Sequence, residues 1–316
     1  MITLTTILGQ PLTAYGVGAA MAMLSLLYAV AMLTRTRHLP RGTALRFAVL
    51  AIPLCLLCSR LVYVAACYAY YLEDIGDWTL MLRFWDGGYS MMGAFGGLVL
   101  AAFLTECWTR TPHGALLDVL GTVLPVVLMC ARTMERGTGL GEGAPVPEGW
   151  PATFTIETAY GSLHTVFLYE AIAAAVIFLF VLLWQYLCRR RRPGDVLLMF
   201  TLLFGCTQVV MESLREDGHM TVHMGVSVQQ VLAALLVLIA LGIWTARAVK
   251  APTCRRWWPA LVAVLALMLV ALAVVAEFGV DRWDSKVAAY GLMIACLIGL
   301  LELAGISRRL SYRIQD

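Results

Sequence analysis

Arginine and carboxylate side chains inside long apolar runs are costly to keep there, so each one marks a candidate site. This chain carries Arg60, Arg132, Glu135, His164, Tyr169, Glu170, Gln208, Glu212 and Arg215 within or at the ends of such runs. The i, i+4 and i+3 spacing of Gln208, Glu212 and Arg215 puts them on one helical face. Guanidinium forks match phosphate oxygens, and burial near a membrane surface strengthens those bonds. A cationic cluster at that depth therefore suits a phosphate, and the phosphate present there is a phospholipid headgroup. The plainer alternative makes Arg60, Arg132, Glu170 and Glu212 interhelical ion pairs that hold a bundle together. His164 is the best base on offer, and a satisfied interfacial histidine accounts for it equally well.

The elements that must position these groups are apolar helices. A chain of 316 residues that is 61% apolar, 14% charged and has a mean hydropathy of +0.81 leaves no room for a large soluble domain. Its long continuous apolar runs speak against a β-barrel. The fold class expected is all-α, a polytopic transmembrane helix bundle. Nine spans are expected, at about 12–34, 44–72, 89–107, 114–131, 166–188, 195–214, 227–249, 257–277 and 286–304. The first run lacks a basic leader and a small-residue cleavage site, so it reads as a retained span. Transport would need inverted repeats of spans, and none is visible.

Charge sets the expected orientation. Arg35, Arg37, Arg41, Arg110, Arg189 to Arg192, Arg247, Lys250, Arg255, Arg256, Arg308, Arg309 and Arg313 fall in alternate loops. The opposite loops carry Glu73, Asp74, Asp77 and Asp86, then Glu142, Glu148 and Glu157, then Glu216 and Asp217, then Glu277, Asp281 and Asp284. Basic loops stay inside, so the N-terminus is expected outside and the C-terminus in the cytoplasm. The net charge of +3 does not point to nucleic acid. Most of the nine cysteines lie within the spans and none lies in an expected outer loop, so no disulfide framework is expected; Cys55 and Cys58, a C-x-x-C in mid-span, read as packing. The longest loop, about 132–165, is rich in glycine and proline, with Gly137, Gly139, Gly141, Gly143, Pro145, Pro147 and Pro151, and reads as a functional excursion on the outer side. Small residues from Gly87 to Gly97 lead into the third span; they suit a phosphate cradle, and tight helix packing explains Gly96 and Gly97 as well.

Taken in order, several segments resemble the bacterial prolipoprotein diacylglyceryl transferases over roughly residues 10–249. They are Tyr15-Gly16, Ser59-Arg60-Leu61-Val62-Tyr63 and the Trp85-x-Gly87-Gly88-x-Ser90 run. Residues 131–143, from Ala131-Arg132 through Glu135 and Gly139 to Gly143, look like a diverged form of the family's Gly-Arg-x-Gly-Asn-Phe-x-Asn-Gly-Glu-x-x-Gly signature. His164-Thr165-Val166-Phe167-Leu168-Tyr169-Glu170 is similar to its His-Pro-x-Gln-Leu-Tyr-Glu motif. Phe204-Gly205 through Glu212 and Arg215, and Val228-Gln229-Gln230-Val231-Leu232, resemble two later segments.

The resemblance implies transfer of a diacylglyceryl group from phosphatidylglycerol to the thiol of a lipobox cysteine in a prolipoprotein, with release of glycerol phosphate. It implies no metal and no cofactor, and a bacterial inner-membrane location among membrane lipids. The family's seven spans would occupy residues 1–249, leaving 250–316 as a two-span extension. Carried over onto this chain, Arg132, His164 and Glu212 are the expected catalytic residues. Tyr15, Arg60, Glu135, Gly139, Gly143, Tyr169, Glu170, Gln208 and Arg215 are expected to bind substrate, with Arg60 and Arg215 as stand-ins for a missing arginine. The chain departs from the pattern in four places. Met92 stands where the family has His, Gln208 where it has Arg, Phe167 where it has Gln, and Glu135 where it has Asn. The charge of Glu135 opposes a phosphate unless it is paired, with Arg136 the neighbouring choice. A degenerate relative that binds phospholipid or lipoprotein without chemistry is the alternative.

Overall fold

The computed structural model describes residues 3–7, 10–136, 138–146, 149–158, 161–188, 190–216, 222–223, 226–251, 254–280, 282–283 and 285–312. Gly137, Pro147, Glu148, Arg189, Asp217, Asp281, Asp284 and Arg313, named above, lie outside the described residues. Among the described residues, nine helices are long and apolar enough to cross a membrane: α1 (Ala14–Thr36), α2 (Thr43–Ala66), α3 (Met91–Thr109), α4 (Ala115–Thr133), α5 (Val166–Leu187), α6 (Asp195–Ser213), α7 (Val228–Val249), α8 (Trp258–Val280) and α9 (Lys286–Tyr312). The chain is an all-α, multi-pass membrane protein, as expected. All nine cysteines are free thiols.

Two ends differ from expectation. The second helix stops at Ala66, and Tyr70–Asp74 forms a separate π turn, because the tyrosines that lengthen the apolar run serve another purpose. Tyr71 is buried with its ring 5.8 Å from the Arg60 guanidinium carbon. The last helix runs past Ala304 to Tyr312, where Arg308 lies over the Tyr312 ring at 5.2 Å. A helix need not end where its apolar stretch does.

Contacts divide the chain into two compact units, Met1–Leu197 with Arg215–Val222, and Leu198–Leu214 with His223–Asp316. In the first, α2 packs along α3, α1 along α4 and α4 along α5. The long excursion between α4 and α5 holds strands that apolar periodicity does not announce. They are β3 (Glu142–Pro145), β4 (Thr155–Thr158) and β5 (Gly161–Thr165), antiparallel in the order β3-β5-β4, while β1 (Thr3–Ile7) pairs with β2 (Gln10–Thr13) ahead of α1. In the second unit α9 packs along both α7 and α8, with Thr245 donating to Ser307 (3.2 Å) inside the contact.

Close approach of α2 and α3 depends on two glycines one turn apart. A β-carbon on Gly93 would sit 2.7 Å from the Ser59 Cα, and one on Gly97 would sit 2.9 Å from the Cys55 Cα. Gly96 has nothing near it, so packing explains Gly97 and not Gly96. Small residues let helix backbones touch where lipid gives no hydrophobic drive. Gly93→Val and Gly97→Val are each expected to cost about 1–3 kcal/mol through overpacking, and Gly96→Val close to nothing, read as melting temperature of the detergent-purified protein.

Candidate functional site

Arg132 stands in the last turn of α4 with its side chain 5% exposed. Its Nε forms an ion pair with Glu170 Oε2 at 2.7 Å, and Glu170, in the second turn of α5, is fully buried. Its Nη1 donates to Glu135 Oε1 at 2.5 Å. Its Nη2 faces the Met91 sulfur at 3.2 Å. Arg215 completes the group, its Nη1 3.7 Å from the same Glu170 oxygen and its side chain 4% exposed. Among the described residues, two guanidiniums and two carboxylates thus lie together, each cation with a carboxylate in reach, the condition under which buried ions persist. Glu135 pairs with Arg132, not with Arg136, because three residues place Glu135 on the Arg132 face of the turn while Arg136 is exposed. Tyr15 lies within electrostatic reach of Glu135, Arg132 and Arg215, and Gly18 on α1 abuts Met134.

The glycine-rich segment threads beside these charges. Gly141 has φ +69°, and a β-carbon there would lie 2.7 Å from Phe167 Cβ and 2.8 Å from Glu135 Oε2, so only glycine fits. Its carbonyl accepts from the Phe167 amide (3.0 Å). Gly143 on β3 bridges Arg215, and the Glu216 amide donates to the Glu142 carbonyl (3.1 Å). Arg215 is therefore not on α6, which ends at Ser213. The single helical face expected for Gln208, Glu212 and Arg215 ends before Arg215, because the chain leaves the helix to pair with the glycine strand. Gly139, at φ +82°, has open space around it.

Arg60 is directed elsewhere. The guanidinium donates to the carbonyls of Leu80 (2.9 Å), Met81 (3.2 Å), Gly87 and Gly88 (3.1 Å), and lies over Tyr63 and Tyr71. Gly88, at φ +72°, leaves the space that Arg60 and Tyr63 fill. Ser59 Oγ donates to the Ser90 carbonyl (2.7 Å), and the Ser90 amide returns to the Ser59 carbonyl (3.1 Å). The Ser59-Arg60 pair and the glycine run, each of which suits a phosphate by residue type, are thus two halves of one loop clasp.

His164 sits on β5 one residue from Thr165, which pairs with Glu142 of β3. Strand β3 therefore has Arg215 on one edge and the His164 strand on the other. The His164 Nδ1 is 3.0 Å from the Tyr169 hydroxyl, and its ring meets Trp150 edge-on at 5.1 Å. Partial burial pushes its pKa below the ordinary imidazole value. Met92 is buried, and Phe167 packs in the core. Gln208 and Glu212 belong to the second unit, where Glu212 accepts from Ser227 Oγ (3.2 Å) and Gln229 Nε2 (2.7 Å). Among the described residues, no three His, Cys, Asp or Glu side chains gather as metal ligands.

Reading by span depth misses Glu106, buried at the end of α3. It accepts from the amides of Gly114 (2.8 Å), Leu116 (2.7 Å) and Leu117 (3.3 Å) and so closes the start of α4. A glutamate just ahead of a Pro-His-Gly turn is the signal the sequence offers for it. Depth also misses Met91, next to Met92.

The sequence profile of the prolipoprotein diacylglyceryl transferase family matches residues 3–246. The phosphatidylglycerol–prolipoprotein diacylglyceryl transferase of Streptococcus equi subspecies zooepidemicus is 24% identical over 236 residues, covering 72% of this chain and 87% of that protein. Proteins of the same name from Finegoldia magna and Listeria innocua are each 25% identical over 240 and 246 residues, covering 74% and 75% of this chain and 93% and 86% of theirs.

Because Glu170 faces both arginines, Glu170→Ala should destabilise by about 3–5 kcal/mol through loss of a buried partner, and by more than Glu135→Ala; equal melting temperatures for the two variants would contradict the network. His164 gives a pH signature. Its native pKa lies below the unfolded value of about 6.5, so stability present at neutral pH falls as pH drops through that value and levels off below the native pKa. His164→Gln should flatten that part of a melting-temperature profile between about pH 7 and 5.

Proposed function

The chain belongs to the prolipoprotein diacylglyceryl transferase family, and on that basis we propose that it is a phosphatidylglycerol–prolipoprotein diacylglyceryl transferase. It moves a diacylglyceryl group from phosphatidylglycerol to a cysteine thiol of a prolipoprotein. The acceptor is the lipobox cysteine. Residues 1–249 carry the activity and 250–316 are an added two-span segment. The protein lies in the bacterial inner membrane with its N-terminus outside.

The observation that carries the reading is the placement of Arg132. Glu170 and Glu135 fix two edges of its guanidinium, while among the described residues the third nitrogen faces a thioether, a weak acceptor. A phosphate oxygen is a far stronger acceptor and would take that position. Arg215, on the same carboxylate, would hold a second phosphate oxygen. In the reaction the thiol sulfur bonds to the glyceryl carbon, the carbon–oxygen bond to phosphate breaks, and glycerol phosphate leaves with both electrons of that bond. The thiol proton passes to a base. His164, kept neutral near pH 7 and aligned by Tyr169, fills that role, and the proton then leaves to water. Arg132 and Arg215 stabilise the charge gathering on the leaving phosphate. Glu212 steadies the polar end of α6 through Ser227 and Gln229, with Gln208 a turn earlier. Gly139 and Gly143 let the loop approach the lipid, and Tyr15 closes the α1 side. Arg60 contributes by holding the 78–90 loop in shape.

Expression in a bacterium depleted of its own transferase should restore lipidated prolipoprotein. Arg132→Ala should reduce the rate about a hundredfold or more while the protein stays in the membrane. A well-inserted wild-type chain that lipidates no acceptor would leave binding without chemistry as the function.

A further inference from the structure

The first unit has a polar cavity at the other ends of the helices that build the Arg132 site. It encloses about 380 Å³ and is lined by Arg37, Asp118, Gln185, Arg191, Arg192 and Val196, among others. Arg37 follows the end of α1, Gln185 lies in the last turn of α5, and Asp118 lies in the first turn of α4. Asp118 precedes Arg132 by fourteen residues on one helix, or about 21 Å at 1.5 Å per residue. The two sites are therefore separate.

Three arginines line this volume against one lining carboxylate, Asp118; the buried Asp195, within electrostatic reach of Asp118, accepts from the Arg192 amide (3.2 Å). Arg37 Nη2 donates to Gln185 Oε1 (3.0 Å) and Thr122 Oγ1 (3.2 Å), while Gln185 Nε2 returns to Thr122 (3.1 Å), so Arg37 is aimed inward by neutral partners. Asp118 Oδ1 is committed to the Val196 amide at the start of α6 (2.9 Å). Arg191 lies over Trp184 at 5.9 Å, anchored beside the opening. Burial holds the Arg37 pKa below its ordinary value; the Asp118 charge opposes this, and the Arg191 charge adds to it. The like charges thus work against each other across the cavity, an arrangement that an anion relieves. The cavity opens at the arginine-rich ends of apolar helices, where basic pockets between spans meet anionic headgroups.

We propose that this cavity is a binding site for an anionic phosphate group, distinct from the Arg132 site and at the opposite membrane surface. Guanidinium forks from Arg37 and Arg191 grip the oxygens, and the apolar walls leave room for the glycerol of a lipid above them.

The test counts tightly held phosphatidylglycerol by native mass spectrometry after nanodisc release, and measures the melting-temperature rise on adding inorganic phosphate in phosphatidylcholine nanodiscs. Loss of one bound phosphatidylglycerol in Arg191→Gln, with about tenfold weaker retention, supports a headgroup as the source. A phosphate-induced rise that disappears in Arg191→Gln supports free phosphate. The half-buried Arg37 has structural bonds to lose, so Arg191→Gln is the primary variant and Arg37→Gln is read alongside it. No retained anionic lipid and no phosphate effect, or every effect seen remaining unchanged in both variants, overturns the proposal.

Discussion

The ion pair between Arg132 and Glu170 is the constraint that the first unit is built around. Leaving either charge alone in an apolar bundle would cost several kcal/mol, so each requires the other, and α4 and α5 can pack only in a register that joins them. The remaining members follow from that choice. Glu135 must turn back from just beyond α4, Gly141 must be glycine to pass the Glu135 carboxylate, and the chain after α6 must return to β3 to deliver Arg215. The small sheet is the device that brings these loop residues to a helix end.

Arg60 shows the same cost met differently. It is as buried as Arg132, yet its donors face backbone carbonyls and not carboxylates. A cation solvated by its own loop, with four of its five donors on carbonyls, serves as architecture. A cation held by two carboxylates and one thioether keeps a direction in which a stronger acceptor can compete. The difference between the two arginines lies in what surrounds them, which residue type and depth alone do not reveal.

That is also where reading the sequence reaches its limit. The helices were legible because a continuous apolar run of such length suits little besides a membrane span, and the family was legible because loose motifs kept their order along the chain. The juxtaposition of Arg132 with Glu170 followed from placing both near one surface. The destination of Arg60 did not follow, since carbonyl acceptors carry no side-chain signature. Nor did the exit of Arg215 from α6, because i, i+3 spacing presumes a helix that in fact ends at Ser213. The strands between residues 142 and 165 are four and five residues long, too short for alternation to stand out among glycines and prolines.

Glu106 carries a consequence for how the protein is made. Its carboxylate is solvated by three amides at the turn into α4, all of them synthesised after α3 itself. A lone α3 would bring that carboxylate to the membrane boundary without the amides that solvate it. The partner that supplies them is the next helix. Helices α3 and α4 therefore complete each other as a hairpin, and the short turn between them can take its final form only once the start of α4 has been made.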